Sequence, residues 1–287
     1  MTEAAVQTIS ADEYHAGVAG PPRLSASIAH VLCTQSPLHA WTAHSQLNPH
    51  YERVEEEKFD VGKAAHSVLL EGDDNIYVVH EDTWQKNVAK EAREYARSIG
   101  KVPLLAKKRD EVMRMVDAAR TQLDAHEAEP PLFSEGKPEQ TLLWEEDGVS
   151  CKARLDWLRD DIVTTDDLKT TGRSANPDAY ARALYGVGGE IQAAFYLRGV
   201  RAVTGQDAVF RWVVIETTPP YALSVISPGA DVLALGEAKV EWALKRWRLC
   251  MASGEWLGYG TDVHIAEMPG YEESRWLARE AEGEVAT

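Results

Sequence analysis

Cysteine is scarce in this chain of 287 residues: Cys33, Cys151 and Cys250 lie far apart. An odd, dispersed set makes a poor disulfide framework, and no C-x-x-C pair offers a zinc site. Three reduced thiols are expected. Long apolar runs are missing too; no stretch of 18 apolar residues occurs, so no membrane span is expected. The start, MTEAAVQTISADEYHAG, has neither the basic opening nor the apolar stretch of a secretion signal, which makes the cytoplasm the expected compartment. Positive charge is in deficit: 30 Lys and Arg against 46 Asp and Glu give a net charge of −16. As a global sum this runs against nucleic-acid binding. A local positive path is enough for a nucleic acid, however. Much of the acid sits in Glu52–Glu57 and between Glu272 and Glu284, both expected as solvated faces.

What is present, at 44% hydrophobic, suffices for a substantial core. Residues 1–23 read as a flexible leader ending in Gly20-Pro21-Pro22. A helix opening at a serine follows, broken near Ser36-Pro37 and resumed through Trp41. FDVGKAAHSVLL (59–70) has helical spacing and stops at Gly72-Asp73-Asp74; IYVVH (76–80) reads as a short strand. Helical patterns cover roughly 82–98 and 104–126. The character then changes to a meander: QTLLWEE, an Asp147-Gly148 turn, VSCKARLDWLR, a turn at Asp160-Asp161, and IVTTDDLKTT. A glycine-interrupted helix over 177–199, strands at 208–217 and 221–228, and a helix over about 229–252 complete the pattern. The remainder reads as irregular and acidic. This order predicts an α/β core, a central sheet flanked by helices, with a helical N-terminal part. One domain over 24–265 and an acidic tail over 266–287 are expected.

The chemistry centres on Asp156, Asp167 and Lys169. Asp167 and Lys169 alternate in a strand and leave the same face. With the turn centred between Asp161 and Ile162, Asp156 falls directly across from Asp167. Two adjacent carboxylates repel unless something compensates. A divalent cation with hard oxygen ligands, Mg²⁺ or Mn²⁺, would do so, and Lys169 would orient or help deprotonate a water. The spacing alone favours an ordinary charged surface hairpin, because acidic residues are abundant here. Lys152 and Arg154 share the face of Asp156 and are candidate phosphate contacts, or a charged exterior row.

Neighbouring residues separate these readings. CKARLDWL followed by DDLKTT resembles the core motif of the PD-(D/E)XK nucleases, with Leu155 where the eponymous proline would stand. Gly62-Lys63-Ala64-Ala65-His66 resembles the G-x-x-x-H helix of RecB-like nucleases, and Gln192-Ala193-Ala194-Phe195-Tyr196 their Q-x-x-x-Y helix. LSASIAHVLCTQSPLHAW resembles the S-x-S…SP segment of the same group. Alone, His66 is an ordinary helix-face histidine, Gln192 and Tyr196 are packing residues, and Gly62 eases a helix contact. Together and in order they point to the PD-(D/E)XK superfamily and its restriction-endonuclease-like core.

The resemblance implies His66, Asp156, Asp167 and the Leu168 carbonyl as ligands of Mg²⁺, with Mn²⁺ able to substitute. It implies Gln192 and Tyr196 beside the DNA. Glu139 is a further acidic candidate and Tyr185 a further DNA contact, neither fixed by a sharp motif. GKAAHSVLLEG, KARLDWL, DLKTT, NPDAY and IQAAFYL in this order look most like RecE-type phage and prophage exonucleases. That likeness implies 5′ to 3′ degradation of linear double-stranded DNA, a ring-shaped homo-oligomer, and hand-over of the exposed strand to a RecT-like annealing protein. CRISPR-associated and AddB-type relatives carry an iron–sulfur cluster held by four thiolates, which three cysteines do not supply. A restriction-type or structure-specific endonuclease on the same core, and a catalytically silent DNA-end-binding module, are the alternatives.

Overall fold

The computed structural model describes residues 4–52, 57–72 and 75–284, with the side chains of 57, 58 and 284 left aside. Part of the acidic Glu52–Glu57 stretch and the Asp73-Asp74 helix stop lie outside them. The chain up to Trp256 forms one compact unit, and the residues from Leu257 onward a second. No described helix is long and apolar enough to cross a membrane.

The first unit opens with β1 (Ala5–Gln7) and α1 (Ala11–Ala16), where a flexible leader was expected. β1 pairs antiparallel with the following sheet, and the Ser10 hydroxyl caps α1 by accepting from the Glu13 N–H. Three residues are too few for a periodicity to register, so this strand exists only through its tertiary partner. Next come α2 (Ala26–Thr34) and α3 (Pro37–Thr42), capped by Ser25 and Ser36, as the S-x-S…SP pattern predicts. α4 (Glu57–His66) runs into a π-helical turn (Ser67–Glu71) closed by left-handed Gly72. β2 (Ile76–Val79) and β3 (Val102–Leu105), joined by α5 (Asn87–Ser98), form a small parallel two-stranded sheet. β3 overlaps the start of the helical pattern expected over 104–126, and its pairing with β2 makes it a strand. α6 (Ala106–Asp124) follows.

The main sheet is built from β4 (Gly136–Glu146), β5 (Val149–Arg159), β6 (Thr164–Thr171), β7 (Val209–Glu216) and β8 (Leu223–Ile226), in the order β1-β4-β5-β6-β7-β8. Only β6 and β7 run parallel. Their crossover consists of α7 (Pro177–Leu184), a 3₁₀ turn (Tyr185–Val187) and α8 (Gly189–Thr204). α9 (Ala230–Ser253) ends the unit. In the second unit, α10 (Gly270–Glu284) is a helix where an irregular tail was expected.

Helices cover both faces of the sheet, as expected for this α/β class. On one face, Leu142, Trp144, Cys151, Ala153 and Leu155 pack with Ile28, Leu32, Phe195, Leu244 and Trp247. On the other, Leu168, Val213 and Ile215 pack with Ala64, Val68, Val112 and Met115. Close approach of α8 and α9 requires Gly236: a Cβ there would lie 2.1 Å from the Glu190 carbonyl oxygen. Gly62 likewise lets α4 approach β6, since its Cβ would meet Thr170 Oγ1 at 3.2 Å. That contact places the C-terminal end of α4, and His66 with it, against the middle of the sheet.

Candidate metal centre

Three carboxylates occupy one row across adjacent strands. The β4–β5 register pairs Pro138 with Trp157 and Gln140 with Leu155, which puts Glu139 across from Asp156. The β5–β6 register pairs Trp157 with Asp166, which puts Asp167 across from Asp156 on the other side. β5 and β6 part beyond that pair. The Leu168 N–H is donated to Asp156 Oδ2 at 2.7 Å instead of to a strand carbonyl. On β4 the ladder is interrupted at Glu139, whose φ of 55° is left-handed. A non-glycine residue held there is strained, and such outliers concentrate at functional sites.

His66 closes the row from α4. Its Nε2 lies 2.9 Å from the Leu168 carbonyl oxygen and 3.6 Å from Asp156 Oδ2, and its Nδ1 lies 3.8 Å from Glu139 Oε1. His66, Glu139 and Asp156 each offer one ligand atom, all within 4.8 Å of one another. Asp167 stands beside this trio: its Oδ1 accepts from Gln192 Nε2 at 2.8 Å, and its Oδ2 meets Lys169 Nζ at 2.5 Å in an ion pair.

Protonation follows from this crowding. Burial raises the Asp156 pKa to about 7; the neighbouring Asp167 adds to the effect, and His66 and Lys169 oppose it. Burial alone would lower His66, but the Asp156 and Glu139 carboxylates outweigh it and lift the imidazole to about 9. Burial would raise Glu139, yet bonds from His66 and Arg154 hold it below the usual carboxylate range. Lys169, which burial alone would lower, is raised by Asp167 and Asp156 and stays an ammonium.

These donors fit a divalent cation. The atoms that converge on the His66 Nε2 proton are a carbonyl and a carboxylate oxygen, and that proton is the positive charge the cluster gathers around itself. Asp167 Oδ2 is buried and has the Lys169 ammonium as its partner, so a cation beside Asp156 would share this oxygen with Lys169. Oxygen donors with one imidazole suit Mg²⁺ or Mn²⁺ rather than a soft metal.

A pH dependence follows. Both His66 and Asp156 bind their protons more tightly in the folded chain, so the folded state holds more protons than the unfolded one. Their contribution to the stability of the metal-free protein is therefore full near pH 4 and lost as pH rises to about 9. A cation displaces those protons, so its affinity rises over the 7–9 window. Calorimetric Mn²⁺ titrations in buffers of different ionisation enthalpy should register proton release near pH 7. Binding without proton release would contradict these assignments.

Residues 34–265 match the family described as a PDDEXK-like domain of unknown function (DUF3799). The chain belongs to this PDDEXK-like family. A crystal structure of a protein from Eubacterium rectale, assigned provisionally as an exonuclease, superposes with a TM-score of 0.62 over 92% of this chain and 96% of that one. At 16% identity, that likeness speaks for the fold alone. The crystal structure of SSO0001, at 15% identity over 64% of this chain and 85% of that one, reaches a TM-score of 0.26, too low to bear on the fold. No curated protein matches. The PD-(D/E)XK resemblance read from CKARLDWL and DDLKTT thus stands at the level of family and fold.

In this PDDEXK-like domain the remaining candidates divide. Gln192 joins Asp167 to the half-buried Tyr196, whose phenol desolvation holds well above its ordinary pKa. Tyr185 is 44% exposed on the 3₁₀ turn, where no described contact ties it to the carboxylate row. Lys152 and Arg154 depart from the expected open phosphate row, because the N-terminal segment covers them. Lys152 donates to the Tyr14 carbonyl at 2.6 Å and lies over the Tyr14 ring. Arg154 donates to the Ile9 carbonyl at 2.6 Å and pairs with Glu139. Sequence reasoning passed over Tyr180, which feels both Lys169 and Asp167. The NPDAY segment was the available signal.

Proposed function

We propose that this protein is a Mg²⁺-dependent deoxyribonuclease that degrades linear double-stranded DNA from its ends, 5′ to 3′, and exposes single strands for annealing. The observation that carries the reading is the row of Glu139, Asp156 and Asp167, joined by His66 and flanked by Lys169. His66, Glu139 and Asp156, with Asp167 and the Leu168 carbonyl beside them, would hold the cation. When bound, such a cation polarises a phosphodiester and makes a water acidic enough to attack it. Lys169, held as an ammonium, acts by placing positive charge beside the reacting phosphate and orienting the water; proton abstraction suits it less. Gln192 fixes the Asp167 carboxylate, and Tyr196 in turn packs against Phe210, so the acidic row is held rigidly from the α8 side.

The RecE-like motif order supports the exonuclease form, a ring of like subunits and a RecT-like partner for the product strand. Among the described residues no base-reading motif stands near the row, so phosphate contacts dominate affinity and binding weakens steeply with salt. The test is digestion of linear duplex labelled at each 5′ end in turn, beside covalently closed circles. Early release of the 5′ label with the circle intact is the expected result. Cutting of the circle would point to the endonuclease alternative. DNA binding with no cutting under any metal would point to the silent end-binding module.

A further inference from the structure

Lys152 and Arg154 are covered, and positive charge is concentrated elsewhere. Residues 86–109 carry eight Lys and Arg against Glu91 and Glu94, a balance of +6 inside a chain of −16. Four of these cations follow α5: Lys86 at its N-cap, then Lys90, Arg93 and Arg97. Intervals of four, three and four residues place them on one face of the helix. Like charges at that spacing oppose a helix, so the alignment itself costs α5 stability. Nor is the charge used up internally. Among the described residues no carboxylate pairs with Lys90, Arg93, Lys101 or Lys107, although acid is in excess. Arg93 lies over the Trp84 ring at 5.3 Å, which steadies the guanidinium without neutralising it. The topology gathers further cations around the stripe. β2 and β3 run parallel, so α5 between them runs back against both. Its start, with Lys86 and Lys90, therefore lies towards the end of β3, where Lys107 and Lys108 open α6. Lys101 sits beside its last turn, its N–H bonded to the Ala96 carbonyl. Arg97 ties the stripe to α4, donating to Asp60 at 3.2 Å. Asp60 precedes His66 by six residues on that helix, a rise of roughly 9 Å.

We infer that this face of α5, with Lys101 and Lys107 at its two ends, is the surface on which duplex DNA lies beside the carboxylate row. The assignment rests on the nuclease reading and names the element that supplies its positive path. A duplex carries one negative charge per ~1.7 Å of its axis, and neutralising it with Lys and Arg releases condensed counterions. From Arg97 back to Lys86 the stripe runs roughly 17 Å, about five base pairs. Its inner end is the Arg97–Asp60 bond, so the phosphates it meets belong to the duplex next to the row and not to the bond being cut. Lys90, Lys101 and Lys107 are exposed on long side chains and reach phosphates without any rearrangement of the fold. Contacts of this kind set position and affinity and read no sequence.

The test uses the full chain in chelator, so that no metal-dependent cutting intervenes, and follows a fluorescent duplex by anisotropy between about 0.05 and 0.2 M salt. The variant combines Lys90→Gln, Lys101→Gln and Lys107→Gln. All three positions are exposed, and glutamine matches lysine as a helix former, so folding is retained. The control combines Arg201→Gln, Lys245→Gln and Arg275→Gln, removing the same charge from cations paired with Asp207, Glu241 and Glu272. In the first variant the slope of log affinity against log salt should shrink by about 2–3, one phosphate contact per lysine, and affinity at the lower salt should fall at least roughly tenfold. The control should keep its affinity within about twofold of wild type. Equal losses in the two variants would reduce the effect to net charge, and an unchanged slope in the first would remove α5 from the DNA path; either overturns the surface. So would poly-glutamate that binds as well as duplex at equal charge and is lost in the same variant, which would assign the face to an acidic protein. Failure here and failure of the nuclease reading are separable. Wild type that cuts DNA while the first variant binds it unchanged keeps the nuclease and loses the surface. Wild type that binds duplex through these lysines, yet cuts under no metal, keeps the surface and loses the nuclease. Wild type that leaves duplex unbound overturns both.

Discussion

Asp167→Asn should lower metal-dependent DNA cleavage by at least about 10³-fold, while the protein folds and binds DNA as before; that factor corresponds to roughly 4 kcal/mol of transition-state stabilisation. Asparagine keeps the volume of the side chain and an oxygen for Gln192 Nε2, now at 2.8 Å from Oδ1. What it removes is one negative charge beside Asp156 and the ion-pair partner of Lys169. Relief of carboxylate crowding lets Asp156 ionise more readily, and Lys169 retains Asp156 nearby, so little stability is lost. Single-turnover cleavage of labelled duplex, with affinity measured in parallel by anisotropy, reads both effects. Cleavage retained within tenfold of wild type would remove Asp167 from the chemistry.

Asp166→Asn should do the opposite, costing about 3–5 kcal/mol of stability with the metal ligands untouched. The two aspartates are adjacent, so the pleat sends them to opposite faces. Asp166 is fully buried and takes Arg211 in a two-pronged pair, Nε to Oδ1 at 2.6 Å and NH2 to Oδ2 at 2.9 Å. It also accepts the Phe133 N–H at 2.9 Å, while Arg211 donates to the Pro130 carbonyl at 2.7 Å and to Thr164 Oγ1 at 3.3 Å. Neutralising Asp166 strands a guanidinium that is 5% exposed in a network tying the 130–133 loop to β6 and β7. A drop in melting temperature of roughly 10 °C is the expected scale. Denaturant unfolding measures it, and a cost below about 1 kcal/mol would mean the pair is replaceable by water.

Sequence made the meander legible because its signals are local. Asp147-Gly148 fixes the first hairpin, and the turn at Asp161-Ile162 fixes the register that brings Asp156 across from Asp167. Once that register is known, the Asp156–Asp167 pair follows by counting. Glu139 resisted the same treatment because its place depends on a left-handed residue in mid-strand, for which its type gives no cue. His66 was legible only as a motif; that it reaches the row depends on Gly62 against Thr170, a contact between elements far apart in the chain. The N-terminal segment was misjudged for a related reason. Its three strand residues and six-residue helix gain their order from Lys152, Arg154 and β4, none of which the local pattern reveals. Lys152 and Arg154 were read as an open row on the alternation of β5 alone, without the segment that covers them.

The central claim is that the row of Glu139, Asp156 and Asp167 with His66 and Lys169 hydrolyses DNA through a divalent cation. Its most direct test is the loss of linear duplex DNA incubated with the purified wild-type protein in Mg²⁺, in excess chelator, and in chelator followed by restored Mg²⁺. The account predicts degradation in the first, none in the second and recovery in the third. Degradation that persists in chelator, or intact DNA under Mg²⁺ and Mn²⁺ alike, would contradict it.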